Sequence, residues 1–366
     1  MAGTIHDSVA ESDQTKWRAG EPEFSGASQW LPHALPVPRL SGITGQQLDE
    51  LLTAGPGGLG TPFIATDAMK NWSCMQWSFD WLKETYGHVM VRTAASIEST
   101  VHMRGLLADY IDYIRSGTDP RQSVPANFEY IDPESRQPAS PPVIEAEGPQ
   151  YLVAWDLEDI EDISHHFHQP YFMEGRNLLD CLDPVTKRGL LNKHTWIFVG
   201  PRHSLSQLHN DHDHVHSYLG QVIGRKKVIL FSPAQAELVA AVDAFGFTED
   251  GSGIDPRNPD LSRYPNFYEA LAFECTLTPG DLLFLPAAWL HCAFGLTAGI
   301  SVSKDSVDQF NFGRWFQSMA VANLPKLASR IVQHRAFRAE PFAPAWARQV
   351  REHPAAFAAL ARFYRP

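Results

Sequence analysis

Short apolar segments separated by glycine, proline or aspartate dominate the chain after residue 150. Runs of about four to eight residues rich in β-branched and aromatic side chains are typical of strands when turn-forming residues flank them. The predicted strands are Tyr151–Trp155, Thr195–Val199, Tyr218–Ile223, Lys227–Phe231, Phe273–Leu277, Asp281–Leu285 and Gly299–Ser303. Many short strands with tight turns predict a β-sandwich or barrel.

The rest of the chain mixes helical spacing with short strands. The elements predicted before residue 150 are helices at Gly45–Leu52, Trp77–Glu84 and Met103–Ile114, and strands at Pro62–Ala65 and Val89–Arg92. Seven prolines between Thr118 and Pro149 predict a long connector with at most short edge strands. Helical spacing returns from Phe312, and these last helices predict either a homodimer contact or a cap on the chain's own barrel.

Composition and charge narrow the class of protein. The net charge of −12 disfavours general nucleic-acid binding. The four cysteines are widely separated, which argues against a zinc knuckle or a disulfide scaffold and favours a reducing cytoplasm. We find no run of roughly 18 apolar residues and no secretory signal, so the sequence predicts a cytoplasmic protein without a membrane contact.

The densest run of potential metal ligands is SLSQLHNDHDHVH, from Ser204 to His216. Residues i and i+2 of a strand point to the same side, so His209 and Asp211 can both face a barrel interior. A third ligand must come from a distant strand, and His291 in TPGDLLFLPAAWLHCAF is the candidate. Two histidines and one carboxylate form the facial triad of non-haem iron(II), which leaves coordination positions open. A surface loop and a core histidine are the alternative readings.

Five motifs resemble, in order and approximate spacing, the JmjC and cupin-like hydroxylases, which include the asparaginyl hydroxylase that inhibits hypoxia-inducible factor. They are WIFVG…SLSQLHND, QVIGRKKVILFSP, DPRNPDLSRYPNF, LTPGDLLFLPAAWLH and GISVS. The resemblance implies a mainly β fold with flanking helices, built on a double-stranded β-helix of the jelly-roll type. It also implies iron(II), 2-oxoglutarate and O₂. Outside the resemblance, residues 1–28 are polar and aperiodic, which predicts a disordered N-terminus. The other predicted regions are an α/β segment packing on the barrel (29–149), a catalytic barrel (150–310) and a C-terminal helical region (311–366).

The resemblance further implies residues for the co-substrate. Lys226, two residues after the turn glycine Gly224, matches the lysine that pairs with the distal carboxylate of 2-oxoglutarate. A lysine that projects into a barrel needs a counter-charge, and a bound carboxylate supplies one. Ser206 and Tyr151 match side chains that support the same carboxylate. The alternatives are a surface lysine, a turn serine and a core tyrosine.

One stretch departs from the family pattern, because the chain is two residues longer between His209 and Gly224. Alignment forwards from Gly200 keeps His209 as a ligand, whereas alignment backwards from Gly224 leaves the first ligand position without a histidine. The extra residues then fall in 212–216, as a bulge or short loop. The histidines there are either substrate contacts or, as we expect, solvated loop residues. The candidate site-lining residues are His212, His214, Ser217, Trp289 and Asp305.

The sequence therefore predicts an iron(II)- and 2-oxoglutarate-dependent dioxygenase that hydroxylates a protein or peptide side chain and releases succinate and CO₂. No general base is required beyond the metal ligands. Hydroxylation of a free amino acid or a natural-product precursor is the nearest alternative, ahead of demethylation. A metal-binding cupin without oxygenase activity is a different class, and the inward lysine argues against it. The sequence leaves the substrate's identity open.

Overall fold

The computed structural model describes the chain in segments. The described residues are 31, 33–55, 58–95, 102–132, 137–139, 149–153, 155, 158–181, 195–211, 214–239, 242–243, 254–316, 347–348 and 351. The predicted disordered N-terminus (1–28), His212 and nearly all of the predicted C-terminal helices beyond residue 316 lie outside them.

Two six-stranded sheets form the barrel. The first, sheet A, has the order β1-β12-β10-β14-β8-β11, and sheet B has the order β2-β3-β13-β9-β15-β7. The strands of sheet A are β1 (Leu35–Pro36), β8 (Leu205–Asn210), β10 (Lys226–Phe231), β11 (Val242–Asp243), β12 (Ala272–Leu277) and β14 (Leu290–Gly295). Those of sheet B are β2 (Arg39–Leu40), β3 (Phe63–Ala65), β7 (Thr195–Gly200), β9 (His216–Ile223), β13 (Leu282–Leu285) and β15 (Gly299–Ser306).

The chain passes back and forth between these sheets. From β7 to β10, and again from β12 to β15, each strand lies in the opposite sheet from the one before it. All pairings among these eight strands are antiparallel. This alternation is the topology of a jelly roll, so the predicted double-stranded β-helix with flanking helices is confirmed.

The N-terminal segment extends the barrel as well as packing on it. β1 pairs with β12 in parallel, and β3 pairs with β13, so both sheets gain strands from before residue 66. A third sheet is formed by β4 (Met90–Ala94), β5 (His102–Leu106) and β6 (Glu129–Ile131). The helices are α1 (Gly45–Thr53), α2 (Phe79–Tyr86), α3 (Leu107–Arg115), α4 (Ala236–Val239) and α5 (Phe312–Trp315).

Two local predictions are wrong. The helical spacing assigned to Met103–Ile114 is divided, because His102–Leu106 pairs as β5 with β4 and β6 before the helix begins at Leu107. In the segment Tyr151–Trp155, the described residues 151–153 and 155 form no continuous strand: Tyr151 makes an isolated bridge to Ala94, and Leu152 makes one to Val199. In both places, pairing with distant segments overrides the local pattern.

Among the residues that the structure describes, apolar side chains pack in three clusters around and within the barrel. One lies between sheet B and the N-terminal helices and includes Trp72, Tyr218 and Val302. Another covers the outer face of sheet A and includes Leu208 and Cys292. The third joins inward residues of both sheets: Val37, Ile64, Val228, Leu230, Cys275, Leu277, Leu283, Leu285, Trp289 and Ala293. The rest of the barrel interior carries the His-Asp-His cluster and the buried Lys226. No helix in the described segments has the length and apolarity needed to cross a bilayer.

Candidate metal centre and carboxylate pocket

His209, Asp211 and His291 meet at one end of the barrel. Their candidate ligand atoms all lie within 4.8 Å of one another. Asp211 Oδ1 lies 3.8 Å from the Nε2 atom of each histidine. Two atoms bound to one ion at about 2.0–2.2 Å lie at most about 4.4 Å apart, so each 3.8 Å separation is short enough for both atoms to reach the same ion. Within the described segments, this is the one group of metal-ligating side chains that is close enough to hold an ion.

Strand pairing positions the two histidines. His209, near the end of β8, pairs directly with His291 at the start of β14, and their ring centres are 4.3 Å apart. Asp211 follows the last residue of β8, so the carboxylate comes from the loop that leaves the strand. The arrangement has the composition of the facial triad predicted from sequence.

Each histidine presents the same ring nitrogen. His209 Nδ1 lies 2.6 Å from the carbonyl oxygen of Gln207, and His291 Nδ1 lies 3.2 Å from that of Trp289. A carbonyl can only accept, so both Nδ1 atoms carry the proton, and the Nε2 lone pair is the one that each ring would offer to a metal. Such backbone contacts orient metal-binding imidazoles and set their tautomer.

A β-bulge in β8 brings Ser206 onto the same face as His209. Residues three apart point to opposite faces of a regular strand. In this pair, however, His209 lies opposite His291 while Ser206 lies opposite Ala293, so two residues of β8 oppose Cys292 alone. The extra residue restores the inward direction of Ser206. Cys292, beside His291, points outward and packs in the cluster on the outer face of sheet A.

Lys226 is the first residue of β10 and is buried, with 8% of its surface exposed. It lies opposite Gly295, on the inner face that also carries His291 four residues earlier in β14. This separation corresponds to roughly 13 Å along the strand. Burial lowers the pKa of the Lys226 amine from 10.5 to about 7. No carboxylate among the described residues pairs with the Lys226 amine, so a bound anion could neutralise its charge.

The three residues predicted to hold a carboxylate converge at this point. Lys226 Nζ lies 3.4 Å from the hydroxyl oxygen of Tyr151, which also hydrogen-bonds to Ser206. The pKa of Tyr151 is raised, because burial outweighs the opposing effect of the Ser206 hydroxyl. The Lys226 ammonium lies 5.3 Å from the ring centre of Phe198. A small cavity is lined by Lys226, Tyr151 and Phe198 and by three glycines, at 200, 295 and 299.

Two long-range contacts hold Tyr151 in the pocket. Its backbone exchanges hydrogen bonds of 2.8 and 3.0 Å with that of Ala94. The amide of the neighbouring Leu152 donates to the Tyr110 hydroxyl at 3.0 Å. Its ring also needs the glycine at position 200, where a β-carbon would come within 2.7 Å of the ring. The placement of Tyr151 therefore depends on the N-terminal segment as well as on the barrel.

The candidate site-lining residues occupy different places. Ser217 and Asp305 pair across β9 and β15 on the inner face, and Asp305 is 3% exposed. Trp289 is buried in the interior cluster, and its indole nitrogen donates to the Leu59 carbonyl at 3.2 Å. His214 is half-buried, with a left-handed backbone at φ 52°. Contact of any of these with a substrate stays a prediction.

The expectation of solvated histidines is wrong for His216. This residue begins β9 and is 3% exposed. It alternates with Ser217 and so faces outward from the barrel, where neighbouring segments cover it. Sequence reasoning assigned it to the loop, because polar spacing alone does not locate the start of a strand.

A polar strip on the inner wall was also missed. Ser301 donates to Gln221 at 2.9 Å, and the Ser217 and Ser303 hydroxyls are 3.3 Å apart. These side chains alternate along β15 and β9 with outward apolar residues such as Val302 and Tyr218. Alternating serines in GISVSKDS are a signal that could have located this strip. The interior is thus apolar on one side and polar on the side between Lys226 and Asp305.

Comparison with known proteins gives a family and several relatives. The model of the family described as "Cupin-like domain" matches residues 58–317. The tRNA wybutosine-synthesizing protein 5 of Danio rerio is 31% identical over 142 residues, which are 39% of this chain and 37% of that protein. The lysine-specific demethylase JMJ21 of Arabidopsis thaliana is 24% identical over 69% of this chain and 24% of that protein. The Mus musculus wybutosine-synthesizing protein is 25% identical over 74% of this chain and 77% of its own length.

Proposed function

Since the chain belongs to the cupin-like domain family, we propose that it is an iron(II)- and 2-oxoglutarate-dependent oxygenase. Its reaction is the hydroxylation of a C–H bond, with release of succinate and CO₂. The observation that carries the proposal is one inner barrel face with a His-Asp-His cluster at one end and a buried lysine toward the other.

The residues of the site form two groups, one for the metal and one for the co-substrate carboxylate. His209, Asp211 and His291 would hold iron(II) through two imidazole nitrogens and a carboxylate, a donor set that suits this ion and leaves positions open. Lys226, Tyr151 and Ser206 would hold the distal carboxylate of 2-oxoglutarate by charge and hydrogen bonds. When bound, the iron and 2-oxoglutarate supply the oxidation of the substrate by O₂. The surrounding apolar cluster limits the access of water.

A protein or peptide side chain is the proposed substrate. Relatives named lysine-specific demethylases support a protein substrate. The His-Asp-His cluster lies at the barrel end where loops leave β8 and precede β14. Long loops at a barrel mouth commonly bind substrates. The relatives named tRNA wybutosine-synthesizing proteins favour a nucleic-acid substrate as the second candidate. A free amino acid or a natural-product precursor remains a small-molecule alternative.

The test of the function is the conversion of 2-oxoglutarate to succinate by purified protein with iron(II), ascorbate and O₂. We expect slow turnover without a substrate, and faster turnover with peptide or tRNA pools if they contain it. Mass spectrometry then locates an added oxygen in peptide or nucleoside. Absence of both succinate formation and 2-oxoglutarate binding by iron-loaded protein would point instead to a cupin that binds metal without oxygenase activity.

The lowered pKa of Lys226 predicts proton uptake on co-substrate binding. In the free protein the amine titrates near pH 7, because burial disfavours its charged form. A bound dicarboxylate favours the charged form and raises that pKa, so binding above pH 7 requires a proton. Affinity should be nearly constant below pH 7 and fall by up to about tenfold for each pH unit above it.

Calorimetry of 2-oxoglutarate binding to Mn(II)-loaded protein, in buffers of different ionisation enthalpy, measures this uptake. We expect close to one proton at pH 8 and little at pH 6. The Lys226→Arg variant is the control, because a guanidinium stays charged throughout this range. Identical heats in all buffers at pH 8 would contradict the expected linkage.

A further inference from the structure

A buried polar network lies on the outer side of sheet B and includes none of the proposed metal or co-substrate ligands. It consists of His216, Asp308 and Asn311, here called the brace, which are 3%, 1% and 2% exposed. His216 begins β9 on its outward side, and its ring centre is 5.7 Å from that of Phe284. Asp308 and Asn311 follow the end of β15. Burying these groups is costly unless they have partners. Two of the partners are Ala287, in the turn before His291, and His214, in the segment after Asp211.

The first connection holds the turn before His291. The amide of Ala287 donates to His216 Nδ1 at 2.9 Å. An amide can only donate, so the ring proton lies on Nε2 and points at Asp308 Oδ1, 3.3 Å away. The next residue of the turn, Ala288, has a left-handed backbone at φ 67°. That conformation costs an alanine about 1 kcal/mol and persists where its surroundings hold it.

This turn leads directly to a metal ligand. The carbonyl of Trp289, one residue after the strained position, accepts from His291 Nδ1 at 3.2 Å. A shift of the turn would therefore move both the backbone of His291 and the acceptor that orients its ring. Contacts of this kind around a ligand set its direction and basicity.

The second connection holds the loop after Asp211. The Asn311 side-chain nitrogen donates to the carbonyl of His214 and to that of Ser306, each at 3.1 Å. Its side-chain oxygen accepts from the Asp308 amide at 2.7 Å. His214, like Ala288, has a positive φ, of 52°. The brace thus contacts two segments that each contain a left-handed residue. One residue is His214, three positions after Asp211, and the other is Ala288, three positions before His291.

The buried carboxylate of Asp308 is stabilised by hydrogen bonds and by a nearby guanidinium. Asp308 also accepts from the Phe310 amide at 2.8 Å, and its Oδ2 lies 3.9 Å from the Arg176 guanidinium. Arg176 pairs in turn with Asp49 of α1. Asp308 therefore has both a donor from His216 and a nearby positive charge, as a buried carboxylate requires.

We propose that His216, Asp308 and Asn311 are positioning residues that set the metal affinity of the site by fixing the turn before His291 and the segment after Asp211. This rests on the proposed function for the existence of the metal site. The proposal also gives a role to the longer segment between His209 and Gly224, because Asn311 holds that segment at its left-handed residue, His214.

Titration with Co(II), followed by calorimetry and by visible absorption, tests this without any turnover. His216→Leu and Asn311→Ala should each weaken Co(II) binding by about 10- to 100-fold, the range for lost contacts around a metal ligand. His216→Gln should retain most of the affinity, because its amide can accept from Ala287 and donate to Asp308. The control Tyr86→Phe removes a 2.8 Å bond to Asp162, remote from the brace, and should lower thermal stability without changing affinity.

The outcomes separate the two proposals. Wild-type affinity in both His216→Leu and Asn311→Ala would overturn the brace and leave the oxygenase intact. An equal loss of affinity in Tyr86→Phe would overturn it too, since general destabilisation would then explain the effect. A wild-type protein that binds no Co(II) would overturn the metal site itself and the brace with it. If His216→Leu does not fold, Asn311→Ala and the rescue by His216→Gln decide.

Discussion

Replacing His291 or His209 by alanine is expected to abolish both metal binding and succinate formation. Each substitution removes one of three side chains whose ligand atoms lie within 4.8 Å of one another. Losing a neighbouring contact of a ligand weakens metal binding by about 10- to 100-fold, so losing the ligand itself should cost more than about 100-fold. Co(II) calorimetry measures the affinity, and 2-oxoglutarate turnover measures the activity.

His168→Ala is the matched control for these variants. This histidine is exposed and lies outside the cluster, so both metal affinity and turnover should match the wild type. None of the three substitutions removes a large apolar side chain, so the melting temperatures of the metal-free variants should differ little from that of the metal-free wild type. Undiminished Co(II) binding by His291→Ala would exclude this histidine as a ligand.

Replacing Lys226 by alanine should leave the metal site intact and weaken co-substrate binding. A hydrogen bond to a charged group contributes about 1.5–3 kcal/mol, which corresponds to a dissociation constant raised by roughly 10- to 150-fold. Turnover should return at high 2-oxoglutarate concentration. The metal-free variant should melt at the same temperature or higher, because the substitution removes a buried amine that has no carboxylate partner among the described residues.

Lys227→Ala supplies a matched control one residue away. Lys227 points to the opposite side of β10, where it forms an ion pair with Glu274 at 2.9 Å. Its removal should leave the binding of 2-oxoglutarate unchanged. Binding isotherms for Mn(II)-loaded wild type and both variants make the comparison. Equal affinities for Lys226→Ala and the wild type would remove Lys226 from the co-substrate site.

Much of the fold follows from local sequence. Short β-rich apolar runs bounded by Gly, Pro or Asp predict most barrel strands, because buried strands need apolar side chains and end at turns. Turn glycines mark where they end: Gly224 has φ 77°, and a β-carbon there would come within 2.1 Å of the Ala298 carbonyl oxygen. The spacing of His209 and Asp211, with His291 in a later strand, predicted the cluster that the structure contains. The division into four regions stays a prediction.

Other features were decided by contacts between distant segments. Sequence spacing puts Ser206 and His209 on opposite faces, and only the register of β8 against β14 reveals the bulge that brings them together. His216 reads as a loop residue, but β15 and the residues after it bury it. Tyr151 reaches Lys226 because Ala94 and Tyr110 hold its backbone. Local periodicity records which side of an element is apolar, whereas register and burial depend on pairing partners far away in the chain, and these form only when the sheets assemble.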